Sequence, residues 1–146
     1  MPTSSVLEIA PIRSSRPTVL AVDDESTVLE LVLEVLHELG CDARSASLGT
    51  EALSHVVQSP DIDLLITDIR MPGISGFELA EQIREIRPNL PVLFMTGYAS
   101  EFERGVTLGP HTALLIKPFS LAKLGTTIRQ LLASSPSSDA APWRGW

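Results

Sequence analysis

The sequence predicts an α/β fold in which a five-stranded parallel sheet carries helices on both faces. Five short apolar segments rich in β-branched residues alternate along the chain with helical segments. This alternation is typical of a doubly wound parallel sheet. Because crossovers between parallel strands are right-handed, we expect the flavodoxin-like (βα)5 arrangement with strand order 2-1-3-4-5.

The first half of the chain predicts two strand–helix units. Thr18–Val22 is the first strand, and three acidic residues follow it directly. From Ser26 the apolar residues recur at helical spacing, and Gly40 ends that helix. Cys41–Ala46 predicts the second strand, and Gly49–Gln58 predicts the second helix. The apolar stripe of the first helix consists of Val28, Leu29, Leu31, Val32, Val35, Leu36 and Leu39.

The third unit delivers a single carboxylate to a strand end. The apolar run 62–67 predicts a buried strand that ends at Asp68, and a Met71-Pro72-Gly73 turn follows. Ser75 and Glu78 match a capping box at the start of the third helix. That helix is predicted to reach about residue 86, with Phe77, Ala80 and Ile83 buried.

Two further strands complete the sheet. The fourth is predicted over 91–95 and ends at Thr96 and Gly97; the fifth covers 112–116 and ends at Lys117. Between them, residues 99–109 predict a short or irregular helix. Ser120 is expected to cap a last helix. Its predicted buried face is Leu121, Leu124, Ile128, Leu131 and Leu132.

The bulk properties limit the classes of function. The 146 residues suit one domain, and 44% of them are hydrophobic. We expect a flexible leader over 1–17, the folded domain over 18–133 and a disordered tail over 134–146. The net charge of −7 argues against direct nucleic-acid binding. A single cysteine, Cys41, cannot form an internal disulfide, which predicts a cytoplasmic protein. The sequence has no apolar run of membrane-spanning length and no signal peptide, so we expect no membrane partner.

Chemically active side chains follow four of the five predicted strands. Because the carboxyl ends of parallel strands share one edge, we expect these side chains to converge. They are Asp23, Asp24, Asp68, Thr96 and Lys117. Clustered carboxylates raise each other's pKa, and an oxygen-binding cation such as Mg²⁺ relieves their repulsion. Each residue alone has an ordinary structural explanation, such as a cap, a turn or a solvated charge; their joint placement predicts a reactive site.

The chemistry of this set points to phosphoryl transfer onto Asp68. A carboxylate can act as a nucleophile toward phosphorus and form an aspartyl phosphate. Mg²⁺ and Lys117 would neutralise the charge of the transferred group. Thr96 can donate a hydrogen bond to a phosphoryl oxygen.

From about Thr18 to Ala133 the chain resembles the receiver domain of response regulators in two-component signalling systems. The matching motifs, which agree in order and spacing, are Val22-Asp23-Asp24, Asp68 with Met71-Pro72-Gly73 and Gly76, Thr96-Gly97, and Lys117-Pro118-Phe119. The resemblance implies that Asp68 accepts a phosphoryl group from the phosphohistidine of a histidine kinase or a histidine phosphotransfer protein. It also implies a Mg²⁺ site made of Asp24, Asp68 and the backbone carbonyl of Arg70, with Asp23 acting through water.

The resemblance further implies a switch rather than an enzyme. The domain would catalyse only its own phosphorylation and dephosphorylation, and the 97–109 and 112–133 surface would change for partner binding or phosphorelay. The downstream protein is not named by the sequence, and a homodimer is an open alternative.

One position departs from the family pattern. Where many receivers have a switching aromatic residue three positions before the lysine, this chain has Leu114. With leucine at this position, the chain resembles receivers attached to hybrid sensor kinases. We expect Thr96 and the 97–109 segment to carry the switch. Arg70 and Tyr98 flank the site and are expected to shield the phosphoryl group from water.

Other functions fit less well. A Mg²⁺-dependent phosphatase of the haloacid-dehalogenase type would need an Asp two residues after Asp68, where this chain has Arg70. A nucleotide-binding module would need a glycine-rich loop after the first strand, where this chain has acidic residues. A degenerate receiver that only binds partners would not need the intact acidic set.

Overall fold

The computed structural model describes residues 16–97 and 111–133, which form one parallel sheet with helices on both faces. The sheet order is β2-β1-β3-β4-β5, so the predicted flavodoxin-like order is confirmed. The elements are β1 (Thr18–Val22), α1 (Ser26–Glu38), β2 (Asp42–Ala46), α2 (Gly49–Gln58), β3 (Ile62–Asp68), α3 (Gly76–Ile86), β4 (Val92–Thr96), β5 (Thr112–Ile116) and α4 (Leu121–Ala133).

Several predictions concern parts of the chain outside this range. The 99–109 segment, Tyr98, the tail over 134–146 and all but two residues of the 1–17 leader lie outside the described residues. The limits of the folded domain therefore stay predictions. Within residues 16–97 and 111–133, no helix combines the length and the apolar character needed to cross a membrane.

The strands separate the core into two layers because successive side chains point to opposite faces. In β1, Val19 and Ala21 pack in the layer beneath α1 and α4, whereas Leu20 and Val22 pack in the layer beneath α2 and α3. The same alternation continues in β4 and β5. Burial on both faces explains why these strands are continuous apolar runs.

A bulge near the start of β3 reverses this alternation within the strand. Thr18 of β1 pairs with Ile62, but Val19 pairs with Leu64, so Asp63 is the extra residue. The carboxylate of Asp63 accepts the Thr18 N–H at 2.9 Å and so satisfies a backbone donor at the irregularity. Beyond the bulge, Leu64 and Ile66 face the α1/α4 layer, although Ile62 faces the other.

The start of α3 matches its prediction. Ser75 Oγ accepts the Glu78 N–H at 3.1 Å, and Glu78 Oε1 accepts the Ser75 N–H at 2.9 Å. The burial prediction for this helix was partly wrong, since Phe77 is half-buried and Leu79 is fully buried. Phe77 instead packs its ring against Phe94 of β4, with centroids 4.9 Å apart.

Two predicted core residues are exposed. Leu31 of α1 is 41% exposed because the buried stripe is narrower than its apolar pattern, and it comprises Val32, Val35 and Leu36. Leu121 is 46% exposed because it is the first residue of α4 and lies at the outer end of that helix. After the carboxyl end of α1, Gly40 has a φ of 81°, the left-handed conformation that favours glycine after a helix.

Candidate functional site

The carboxyl ends of β1 and β3 bring two buried carboxylates together. Asp23 follows β1 and is fully buried, and Asp68 ends β3 and is 6% exposed. One oxygen of each is held by a backbone N–H: Asp23 Oδ1 accepts from Glu25 and Asp68 Oδ1 accepts from Ile69, both at 2.9 Å. The remaining oxygen of each carboxylate faces the same lysine.

Lys117, which follows β5, supplies the cation of this cluster. Its Nζ lies 3.3 Å from Asp23 Oδ2 and 3.4 Å from Asp68 Oδ2. A third contact, at 3.1 Å, goes to Glu25 Oε1. The Lys117 N–H also donates to the Thr96 carbonyl at 2.7 Å, which fixes the end of β5 against the end of β4. The predicted convergence of strand ends is therefore present for Asp23, Asp68 and Lys117.

The electrostatics of the cluster favour binding of additional positive charge. Burial raises the pKa of Asp23, and Lys117 and a backbone hydrogen bond only partly oppose the rise. Burial also raises the pKa of Asp68, and the charge of Asp23 adds to it. For Lys117, burial lowers the pKa, but the hydrogen bond to Glu25 and the two aspartates outweigh this, so its pKa is raised. Three carboxylates thus share one ammonium group.

The raised pKa of Asp68 predicts a pH-dependent stability difference. Between its ordinary value of 3.8 and the higher folded-state pKa, the folded domain binds more protons than the unfolded chain, so its stability falls as pH rises. Asp68→Asn removes this penalty. In the presence of a chelator, we expect this variant to melt a few degrees above the wild type at neutral pH, and the difference to vanish below pH 3.8. A variant that melts lower at neutral pH would show that the Lys117 contact outweighs the cost of burial.

An open cleft lies above the cluster. Its volume is about 530 Å³, and it is lined by Asp24, Glu25, Asp68, Arg70, Gly97 and Lys117. Asp24 is exposed at the rim, whereas the carboxylate oxygens of Asp23, Glu25 and Asp68 lie within 4.8 Å of one another. The close cluster therefore contains Glu25, which is not among the site residues predicted from the sequence. The alternation of an extended segment could have identified it, since residues two apart face the same side.

Three other predicted site residues take separate positions. Thr96 ends β4 and is fully buried, next to Gly97 in the cleft wall. Arg70 is exposed and lines the cleft two residues after Asp68. Leu114 is half-buried and packs against the α2/α3 layer rather than in the cleft.

The loop after Asp68 is closed by a tight backbone contact. The Gly76 N–H donates to the Ile69 carbonyl at 2.7 Å, and a side chain at Gly76 would overlap the backbone carbonyl of Asp68. Gly73 has a φ of 83°, a conformation that glycine adopts without strain. These contacts fix the peptide that carries the central carboxylate.

The donor set suits Mg²⁺. This ion prefers oxygen ligands and uses a few carboxylates together with water. The cluster of Asp23, Glu25 and Asp68 offers only oxygen donors, and Asp24 adds another at the rim. The residues therefore fit a divalent cation bound at this edge of the sheet.

Fold and site together define a flavodoxin-like parallel sheet with an acidic pocket at its carboxyl edge. The family model for the response regulator receiver domain matches residues 19–129. The chain belongs to this family, whose members act as signalling switches in two-component systems.

Individual comparisons agree with this assignment. The chain is 39% identical over 116 residues to the sensor protein EvgS of Escherichia coli K12, which covers 78% of the chain and 10% of EvgS. The receiver domain of the hybrid histidine kinase CckA is 31% identical, with a TM-score of 0.68 over 79% of the chain and 98% of that domain. The response regulator TrrA of Thermotoga maritima, solved in complex with Mg²⁺-BeF, is 33% identical, with a TM-score of 0.70 over 79% of the chain and 98% of TrrA.

The chain spans 10% to 15% of the length of the sensor kinases that it matches. Receiver domains of the family bind Mg²⁺ at an acidic pocket and interact with histidine kinases or phosphotransfer proteins.

Proposed function

We propose that the domain is a phosphoacceptor switch in which Asp68 receives a phosphoryl group from a phosphohistidine. The observation that supports this most directly is the placement of the Asp68 carboxylate. It is held by the Ile69 N–H on one oxygen, lies 3.4 Å from Lys117 on the other, and opens onto a cleft. A carboxylate that is fixed in this way and open to a cleft is oriented for attack on phosphorus.

The proposed transfer needs no reactant other than the phosphodonor and the Asp68 carboxylate. An Asp68 oxygen forms a bond to phosphorus as the bond from phosphorus to the histidine nitrogen breaks. The electron pair of that bond goes to the imidazole nitrogen, and the product is an acyl phosphate. A small phosphodonor can replace the phosphohistidine, because the attacking group belongs to this domain.

Three side chains would take defined parts in this step. Lys117, already beside Asp68, would neutralise charge on the phosphoryl oxygens. Thr96, at the end of β4, would donate its hydroxyl to another phosphoryl oxygen. Asp23, which is buried and anchored by the Glu25 N–H, would contribute negative charge to the cation site.

Mg²⁺ would be held by Asp24, Asp68 and the Arg70 carbonyl, with Asp23 contributing through water. When bound, it would supply positive charge for the carboxylates and the phosphoryl group. Asp24 and Arg70 support this assignment because both line the cleft beside Asp68.

Phosphorylation would then alter the surface formed by 97–109 and 112–133. We propose that Thr96 and the segment after it carry most of the change, because Leu114 has no hydroxyl or ring to present. The altered surface would serve partner binding or onward phosphotransfer, and the cytoplasm is the proposed location.

Incubation of the chain with Mg²⁺ and a small phosphodonor tests the proposal. Intact mass should rise by one phosphoryl group, and the gain should disappear when Mg²⁺ is removed by a chelator. A mass that stays unchanged with Mg²⁺, in a preparation shown to be folded, would contradict the proposed function.

A stability measurement tests the metal separately. Mg²⁺ should raise the melting temperature by mass action. A free Mg²⁺ concentration of about ten times the Kd adds about 1.4 kcal/mol to the free energy of unfolding. Asp24→Ala should remove this shift because it deletes a ligand at the cleft. Glu30→Ala is the matched control, since Glu30 is an exposed acid on α1 outside the cleft. A full Mg²⁺ shift in Asp24→Ala, or an equal loss in Glu30→Ala, would refute the assigned site.

A further inference from the structure

The contact between Glu25 and Lys117 is not required by the proposed phosphotransfer. Among the residues that the structure describes, Lys117 forms ion pairs with three carboxylates, and the one with Glu25, at 3.1 Å, is the shortest. The two carboxylates that share Lys117 with it are buried, whereas the Glu25 side chain is 61% exposed. Glu25 therefore forms the solvent side of the cluster.

The backbone fixes where the Glu25 carboxylate can reach. The Glu25 N–H donates to Asp23 Oδ1 at 2.9 Å, and its carbonyl accepts the Leu29 N–H of α1 at 3.0 Å. Between these bonds Glu25 is extended, with φ −94° and ψ 110°. Residues two apart in an extended segment face the same side. The Asp23 and Glu25 side chains therefore point the same way, and both contact Lys117 Nζ.

The ammonium group of Lys117 has three N–H donors, and it has three carboxylates within reach. A phosphoryl group on Asp68 would add acceptor oxygens at the same place. A donor can then turn to the phosphoryl group only if one carboxylate releases it. Glu25 is the carboxylate that water can solvate, so its release has the lowest cost.

We propose that Glu25 is a positioning residue that holds the Lys117 ammonium in the unphosphorylated domain and competes with the phosphoryl group for it. This inference rests on the proposed function, because it assigns a resting position to the lysine of the same site. Glu25 thereby restrains phosphorylation, and loss of the contact should accelerate it.

Two substitutions separate the contact from the charge. Glu25→Gln removes the charge, and Glu25→Asp keeps the charge but shortens the side chain by one methylene, so that it no longer reaches Lys117. We expect both variants to be phosphorylated by acetyl phosphate about two- to fivefold faster, the range expected for loss of an exposed ion pair. The matched control Glu30→Gln, which removes an equal charge from α1, should match the wild type. A Glu25→Asp variant with the wild-type rate would overturn the proposal, because charge alone would then explain Glu25→Gln.

The dependence on Lys117 provides a second test. In a Lys117→Ala background, where phosphorylation is slow, Glu25→Gln should produce no further acceleration. An equal acceleration in both backgrounds would overturn the proposal, since Glu25 would then act without Lys117.

An observation on the unphosphorylated protein separates this inference from the proposed function. Nuclear magnetic resonance of the Lys117 side-chain ammonium should show faster proton exchange with solvent in Glu25→Gln than in wild type or Glu30→Gln. Unchanged exchange in Glu25→Gln would overturn the inference even if the domain is phosphorylated. Faster exchange with no phosphorylation of the wild type would overturn the proposed function and the competition that depends on it.

Discussion

An Asp68→Asn variant should accept no phosphoryl group from acetyl phosphate or from a phosphohistidine donor. The amide has nearly the shape of the carboxylate and its oxygen can still accept the Ile69 N–H, so the fold should persist. The amide lacks the anionic oxygen that attacks phosphorus, however, and the loss should be complete. Intact-mass measurement after incubation with Mg²⁺ and phosphodonor should show the unmodified chain.

Asp61→Asn is the matched control for this experiment. Asp61 immediately precedes the same strand, but it lies at the opposite edge of the sheet and is exposed. The control should gain one phosphoryl group as the wild type does. Phosphorylation that survives in Asp68→Asn would mean that the acceptor is another residue.

Gly76→Ala should destabilise the domain by about 2–3 kcal/mol, the upper part of the range for forcing an atom into a filled space. A Cβ at this position would overlap the Asp68 carbonyl and approach Ile69 Cα at 3.0 Å. Both are backbone atoms, which cannot move aside as the end of a flexible side chain can. Urea unfolding should show the loss, and the shifted Asp68 peptide should also slow phosphorylation of the folded fraction.

Gly125→Ala provides a control with the opposite sign. Gly125 lies inside α4, and a Cβ there would meet only Val35 Cγ1 at 3.9 Å, an ordinary contact. Because alanine favours the helix over glycine by about 0.8–1.0 kcal/mol, this variant should be stabilised. Equal destabilisation by both substitutions would show that the close approach at Gly76 is not the cause.

Local patterns in the sequence predicted the fold correctly where the residues themselves impose the structure. The Ser75 and Glu78 capping box needs only side chains three positions apart, and it is present as predicted. Ser120 likewise accepts the Lys123 N–H at 3.0 Å at the start of α4. Apolar strands that end in polar residues located the edge where Asp23, Asp68 and Lys117 meet.

Features that depend on packing between elements could not be predicted in the same way. The exposure of Leu31 and Leu121 depends on how wide a face each helix presents to the sheet, and the apolar pattern alone overstates that width. Glu25 is one of the three acidic residues after β1, but the sequence did not predict its contact with Lys117, because that contact depends on how β1 and β5 are placed. Alternation along the chain can place Glu25 on the same side as Asp23, but it does not indicate that Lys117 lies between them in space.

The bulge at Asp63 has a consequence for how the length of β3 can vary. The strand has two phases of side-chain alternation, one before residue 63 and one after it, and the Asp68 carboxylate belongs to the second. A single insertion or deletion before the bulge changes only the connection from α2. The same change between Asp63 and Asp68 would turn the carboxylate to the opposite layer, away from Asp23 and Lys117. The bulge therefore divides β3 into two parts. The part before Asp63 tolerates changes in length, whereas the five residues Leu64–Asp68 must keep their number.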